Sequence, residues 1–261
     1  MNYTEKIRLA LQEELEPLGF RYLKTRSSFT KKLDKDTTLK FVYNPIRFRY
    51  GTSVSILSGA EYRDIEEVVY KLSDYTVARY GHLDLSARLE WLMPKQRSWG
   101  RDFEFLERES DEINDEKLEK LMHRVRTFSL PYIERLSHKD TALEAATELE
   151  REGHIFTEGV VPVMHCLWRH DKKAALDYLE EKRLRMLADV KPWEWELLER
   201  FKNGEWFAGV EYTKDIVHTR GVEIIKESYH CGVNNPSHAA AYDDYMQFIP
   251  RFMDWMESQD L

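Results

Sequence analysis

Around Phe20 the hydrophobic period of the chain switches, and that switch narrows the folds open to it. Before it, Ile7, Leu11, Leu15 and Leu18 recur at three- and four-residue spacing, which places them on one face of a helix over 4–18. Thr4 is the expected N-cap, and Pro17 and Gly19 the stop. After it, "FRYLKT", "SFTKKL", "TLKFVYN" and "RFRYGTSVSIL" alternate apolar and polar residues and are rich in Phe, Tyr, Thr and Val. "DKD" at 34–36 and "NP" at 44–45 supply turn residues. The expectation is one helix followed by an antiparallel meander of three or four strands with one face buried.

Helical spacing returns at Asp64–Arg79, where Ile65, Val68, Val69 and Leu72 share a face. "ARLEWLMP" reads as a short helix and "SWGRDFEFLE" as a returning strand. From Glu112 the pattern is mostly helical. Leu118, Leu121, Met122, Val125 and Phe128 keep the period up to Pro131, which is expected to kink or end that helix. Further helices are expected over 140–151 (closed by Gly153), over 157–169 with Pro162 in its early turns, and over 172–187, where Asp171 is the N-cap. "PWEWELLERF" and "YTKDIVHTRGVEIIKESY" also read as helical, the second interrupted by Gly221. A last helix starts near Ser237 and bends at Pro250. The fold class is therefore α+β: an N-terminal helix plus an antiparallel β-meander, followed by a mostly α-helical C-terminal half. The expected boundary divides a sheet domain, 1–110, from a helical domain, 111–261. No fixed repeat period is present.

The 261 residues are enough to bury a core without disulfides. No apolar run approaches the roughly 20 residues of a membrane-spanning helix, so no membrane association is expected. "MNYTEKIRLALQEELEPLGF" carries acids throughout and no apolar signal segment. Two cysteines make no disulfide framework, and both read as reduced, in a cytoplasm. The net charge of −8 hides an asymmetry. Residues 21–63 hold 10 Lys/Arg against 3 Asp/Glu, whereas residues 101–261 hold 22 against 34. Such a split suits either solvated faces of opposite sign or basic strands that meet an anionic partner.

Two His-Cys pairs raise the question of a metal. "MHCLWRHDKK" places Cys166 and His170 one turn apart, and "ESYHCGVNNPSH" adds His230, Cys231 and His238. Cys166, His170, Cys231 and His238 would make a zinc ligand set only if the fold joined them across sixty residues. The local reading accounts for each residue more simply. Glu223–His230 reads as a helix end stopped by Gly232, "NNPS" as a turn, Ser237 as the N-cap of the last helix, and Asp171 as a cap that leaves His170 in a linker.

Other chemistry is sparse. No glycine-rich phosphate cradle, nucleophile elbow or His-Glu-x-x-His helix occurs, so no catalytic residue is assigned and no cofactor is expected. Asp34 and Asp36 flank a hairpin turn, Asp243 and Asp244 sit early in a helix, and Cys166 on an apolar face reads as packing. "KFVYNPIRFRY" interleaves Lys40, Arg47 and Arg49 with aromatics, a pattern that can stack bases and meet phosphates. Strand alternation predicts Phe48 and Tyr50 in the core and the arginines outside, as in any half-buried sheet. The helical half carries many large rings. Trp193, Trp195, Trp206, Tyr242, Tyr245 and Trp255 are the candidate protein-binding residues, because rings left on an acidic surface suit a protein partner.

"LEPLGFRYLKTRSSFTKKL" resembles bacterial domain-of-unknown-function families that open with a helix, an "LGF" step and a strand, and "VRTFSLPYIERL" at 125–136 resembles their later helix. The likeness covers the first half of the chain. It implies a small cytoplasmic partner protein, with immunity proteins that neutralise toxins among the relatives in setting, and carries over no catalytic residue. The leading expectation is a non-catalytic protein-binding module, with an immunity protein facing a toxin as its specific form. The alternatives are a nucleic-acid-associated protein using the basic meander and, after that, a zinc-dependent enzyme.

Overall fold

The computed structural model describes residues 3–72, 85–94, 103–152, 159–203, 211–219, 222–230 and 236–259. The chain opens with helix α1, Tyr3–Leu15, which buries Ile7, Leu11 and Leu15 completely. The helix begins one residue ahead of Thr4. Its stop is the expected one: Gly19 takes a left-handed φ of 88°, and the Phe20 amide bonds back to the Leu15 carbonyl.

Four antiparallel strands follow in sequence order, β1 (Arg21–Leu23), β2 (Ser28–Lys32), β3 (Thr37–Phe48) and β4 (Gly51–Tyr62). Two short strands, β5 (Ala87–Arg88) and β6 (Glu104–Leu106), pair with β4 and complete the sheet. At the β2–β3 turn the Asp34 carboxylate accepts from the amides of Asp36 (2.8 Å) and Thr37 (2.7 Å), as its position in "DKD" suggests. Asn44–Pro45 is not a turn. β3 runs straight through it, Pro45 opposite Val54, and the hairpin closes only at Arg49–Tyr50. The Tyr43 amide points towards β2 and bonds Ser27, so the nitrogen of Pro45, two residues on, points the same way. There β2 has ended, and the missing donor leaves no partner unsatisfied.

The registers sort the sheet into two faces. One carries Tyr22, Phe29, Leu39, Phe41, Tyr43, Val54, Ile56, Ala60 and Tyr62, and most of it is core. α1 crosses this face: the Arg8 guanidinium lies over the Tyr22 ring, and Tyr3 stacks on Phe105 of β6 at 5.4 Å. Helix α4 (Asp111–Arg124) joins α1 through Tyr3–Asp111 and Lys6–Asp115 contacts. Next comes a five-residue π turn, Val125–Ser129, and then α5, Leu130–Leu136. Pro131 explains the turn. It has no N–H for the helical ladder, and the preceding residues widen so that the Leu130 amide reaches Val125. The Tyr62 hydroxyl donates to the Leu136 carbonyl and ties α5 to the core face. α6 (Lys139–Arg151) follows, held to α5 by the Arg135–Glu148 pair. Short helix α3 (Leu89–Leu92) follows β5 directly.

The chain divides into two compact units, residues 1–64 with 83–156 and residues 65–82 with 157–261, and α2 (Arg63–Leu72) falls across the division. This differs from a boundary near 110: α4–α6 group with the sheet, because Tyr3, Tyr62 and Leu106 all bond to them.

The second unit holds α7 (Val160–Arg169), α8 (Lys172–Asp189), α9 (Pro192–Lys202) and α10 (Ser237–Glu257), the last running through Pro250. Asp171 caps α8 as expected, accepting from Ala174 at 2.8 Å. Residues 211–219 and 222–230 correct the helical expectation. They form a hairpin of β7 (Glu211–Thr219) and β8 (Val222–His230), with Thr219 opposite Val222. The helix end expected at 223–230 is thus a strand, and Gly232 lies outside the described residues. Ser237 is the first residue of α10, preceded by Pro236, and is not its N-cap. The division into a helix, a meander sheet and a mostly helical remainder makes the fold α+β. No helix among the described residues is long and apolar enough to cross a membrane.

Candidate interaction surface

On the core face burial continues past Val54 to Phe105 of β6, opposite Thr52, whereas the β3 side chains from Ile46 onward are exposed. Ile46 is 55% exposed, Phe48 41% and Tyr50 58%. This overturns the expected burial of Phe48 and Tyr50. Phe41 and Tyr43 fix which residues face the core, and Phe48, an odd number of residues on from each, falls on the opposite face.

Phe48 and Tyr50 line a cleft of about 580 Å³ together with Glu104, Leu106, Glu107 and Arg108. Its floor is tight. A Cβ at Gly51 would lie 2.4 Å from the Phe105 carbonyl and 3.1 Å from the Phe48 ring, so only glycine lets β4 and β6 approach there. β6 is held by Asn114 of α4, a buried residue whose side chain bonds Leu106 twice, accepting from its N–H (3.2 Å) and donating to its carbonyl (2.9 Å). Asn114 thereby occupies the free edge of β6 in place of a further strand. The Lys117 ammonium takes the next outward carbonyl, Glu104, at 2.8 Å.

The three basic candidates part company. Lys40 is buried and engaged in an ion pair with Glu61, diagonal to it across β3 and β4. Arg47 and Arg49 are exposed, and Arg49 lies over the Tyr50 ring at 5.1 Å. No carboxylate among the described residues pairs with Arg47 or Arg49.

Of the ring candidates of the second unit one is buried, three are half-buried and one is exposed among the described residues. Tyr245 is fully buried, with its hydroxyl donating to the Leu179 carbonyl (2.9 Å) and the Lys182 ammonium over its ring. Tyr242 and Trp195 are half-buried and meet edge to face at 5.6 Å. Trp255 is half-buried against Phe252. Trp193 is exposed at 44%, and Trp206 lies outside the described residues.

The four metal candidates are not brought together among the described residues. Cys166 is fully buried, and burial pushes its thiol up to about 11, so it is neutral at physiological pH. His170 stands at φ 51° as the left-handed residue that ends α7, its amide bonding the Cys166 carbonyl. Cys231 lies outside the described residues. His238 turns to Glu194, whose carboxylate is 1% exposed and accepts from the Lys191 amide (2.7 Å), the His238 amide (3.1 Å) and the His238 Nδ1 (3.1 Å). Glu194 thus closes the N-terminus of α9 and that of α10 with one side chain. Burial alone would raise its pKa, but these hydrogen bonds and the His238 charge hold it below the usual carboxylate range. No group of three His, Cys, Asp or Glu among the described residues could hold a metal ion.

Asn114 and Glu194 were not singled out by sequence reasoning. Glu194 left a local mark, a proline at the first helical position with an acid two residues on. Asn114 left none, since its partner is eight residues back across a turn.

No protein-family model, curated protein or solved structure matches the chain.

Proposed function

We propose that the protein is a non-catalytic binding module that engages another protein through the exposed end of the β3–β4 hairpin. The observation that carries this is the exposure of Ile46, Phe48 and Tyr50 around a cleft rimmed by Arg108, Glu104 and Glu107. Apolar and aromatic groups at the centre with charges of both signs at the rim are what a protein contact requires. Neutralisation of a toxin is the form of this function that the sequence resemblance implies. Affinity purification from native cells tests the reading with wild type beside the pair Phe48→Ser and Tyr50→Ser. A protein recovered stoichiometrically with wild type and lost from the double variant supports it. Recovery that ignores the double variant refutes this surface.

A second reading, nucleic-acid binding, gains from the same correction: Phe48 and Tyr50 stand exposed beside Arg47 and Arg49, where bases could stack and phosphates pair. Glu104 and Glu107 in the cleft and the burial of Lys40 weigh against it, because carboxylates repel a phosphate backbone. A gel shift with a 20-nucleotide single strand, strong at 50 mM salt and abolished in Arg47→Glu/Arg49→Glu, would establish this reading. Absence of a shift at low salt would end it.

A further inference from the structure

The cleft is one end of a longer surface, the second face of the sheet. The registers align Leu23 of β1 with Ser28, Val42 and Leu57, then Arg88 of β5. They align Ile46 with Ser53 and Glu104, and Phe48 with Gly51 and Leu106, while Arg21 and Lys32 mark the β1–β2 margin. α1 and α5 lie against the other face. On this one Leu23, Ile46 and Phe48 remain exposed, with Val42 and Leu57 half-exposed between them. Strands stand about 4.8 Å apart, and Val42 to Phe48 spans about 20 Å, so Leu23, Val42 and Leu57 form one apolar row and Ile46, Phe48 and Leu106 a second, with Asn44 and Ser55 between them. Arg21 and Lys32 at the β1–β2 margin and Arg88 on β5 are exposed on this face, and no carboxylate among the described residues pairs with any of them, whereas Arg47, opposite Thr52 and in line with Phe105, belongs to the core face.

Resting on the protein-binding reading above, we infer that this face takes an acidic protein segment, with apolar side chains seated on the Leu23–Leu57 and Ile46–Phe48 groups and carboxylates meeting Arg21, Lys32 and Arg88. The cations beside the Leu23–Leu57 row fix the sign of the partner there, at the end of the face away from Glu104 and Glu107. The aliphatic row beside those cations fixes its class, since Leu23, Val42 and Leu57 offer nothing for a nucleobase to stack on, whereas they suit Leu, Ile or Phe of a polypeptide.

The probe is a fluorescein-labelled 20-residue peptide of repeating Glu-Leu-Glu-Phe, compared with its Lys-Leu-Lys-Phe analogue and with a 20-nucleotide deoxythymidine strand, all by anisotropy on the full chain. The acidic peptide is expected to bind at 50 mM NaCl, at least tenfold more weakly at 300 mM. Arg21→Glu/Arg88→Glu and Ile46→Ser/Phe48→Ser should each lower its affinity at least tenfold. Circular dichroism confirms that both variants fold. Equal binding of the basic analogue, tighter binding of the oligonucleotide, or indifference to the charge reversal would overturn the inference. So would self-association of the protein that Ile46→Ser/Phe48→Ser abolishes, since the occupant would then be a second copy. If purification still recovers a partner through Phe48 and Tyr50 while the acidic peptide fails, the binding function stands and only the acidic identity falls.

Discussion

Glu194 shows how one carboxylate can hold two elements at once. Two of its three acceptor bonds reach backbone amides at the starts of α9 and α10, and the third the His238 ring. Each cap of this kind is worth about 1 kcal/mol, and removing the charge leaves buried donors short of their partner. Glu194→Gln should therefore lose about 1–3 kcal/mol of unfolding free energy in urea at pH 7. The sign with pH follows from the depressed pKa. A carboxyl that titrates lower when folded contributes stability above its unfolded pKa, about 4.3, and loses it as pH falls through the folded value. The gap between wild type and Glu194→Gln should shrink below about pH 4.3, and a gap independent of pH would show that the charge plays no part. The residue-level misreading lies in "KFVYNPIRFRY", where aromatics occupy odd positions before Asn44 and Phe48 an even one after it. Either set can be assigned to the core from the sequence, and only the straight passage of β3 through Pro45 decides between them.

The elements themselves were legible where local chemistry sets them. α1 ends at its glycine, the β2–β3 hairpin turns on Asp34, and α8 starts on Asp171. They were illegible where two periods fit one stretch. Ile216–Val217 and Ile224–Ile225 suit a helix face as well as paired strands, and the β-branched excess around Arg220–Gly221 was the overlooked sign of a hairpin. The edge of the first sheet carries a prediction. Asn114→Leu keeps size but strips Leu106 of both its amide partners, and each buried backbone group left unpaired costs about 1–3 kcal/mol. The variant should unfold at least 2 kcal/mol more easily by about this reckoning, and should aggregate through its bared strand edge. Thermal unfolding followed by light scattering checks both. An unchanged midpoint would mean that Asn114 only fills space.

Across the whole chain, the division near residue 157 rather than 110 rests on contacts such as Tyr62 to Leu136, 74 residues apart, which leave no local mark. The charge asymmetry was plain from the sequence, but its use was not. The basic segment forms a sheet whose second face keeps aromatic and aliphatic groups exposed, while Trp195, Tyr242 and Trp255 of the acidic half are half-buried against neighbouring rings. The proposed recognition surface therefore lies on the meander and not on the helical half. A photo-crosslinking amino acid placed at Tyr50, and separately at Trp193, tests this assignment in living cells. The prediction is a protein adduct from position 50 that disappears when Arg21→Glu and Phe48→Ser are added. Protein adducts only from position 193, or nucleic-acid adducts alone from position 50, would contradict it.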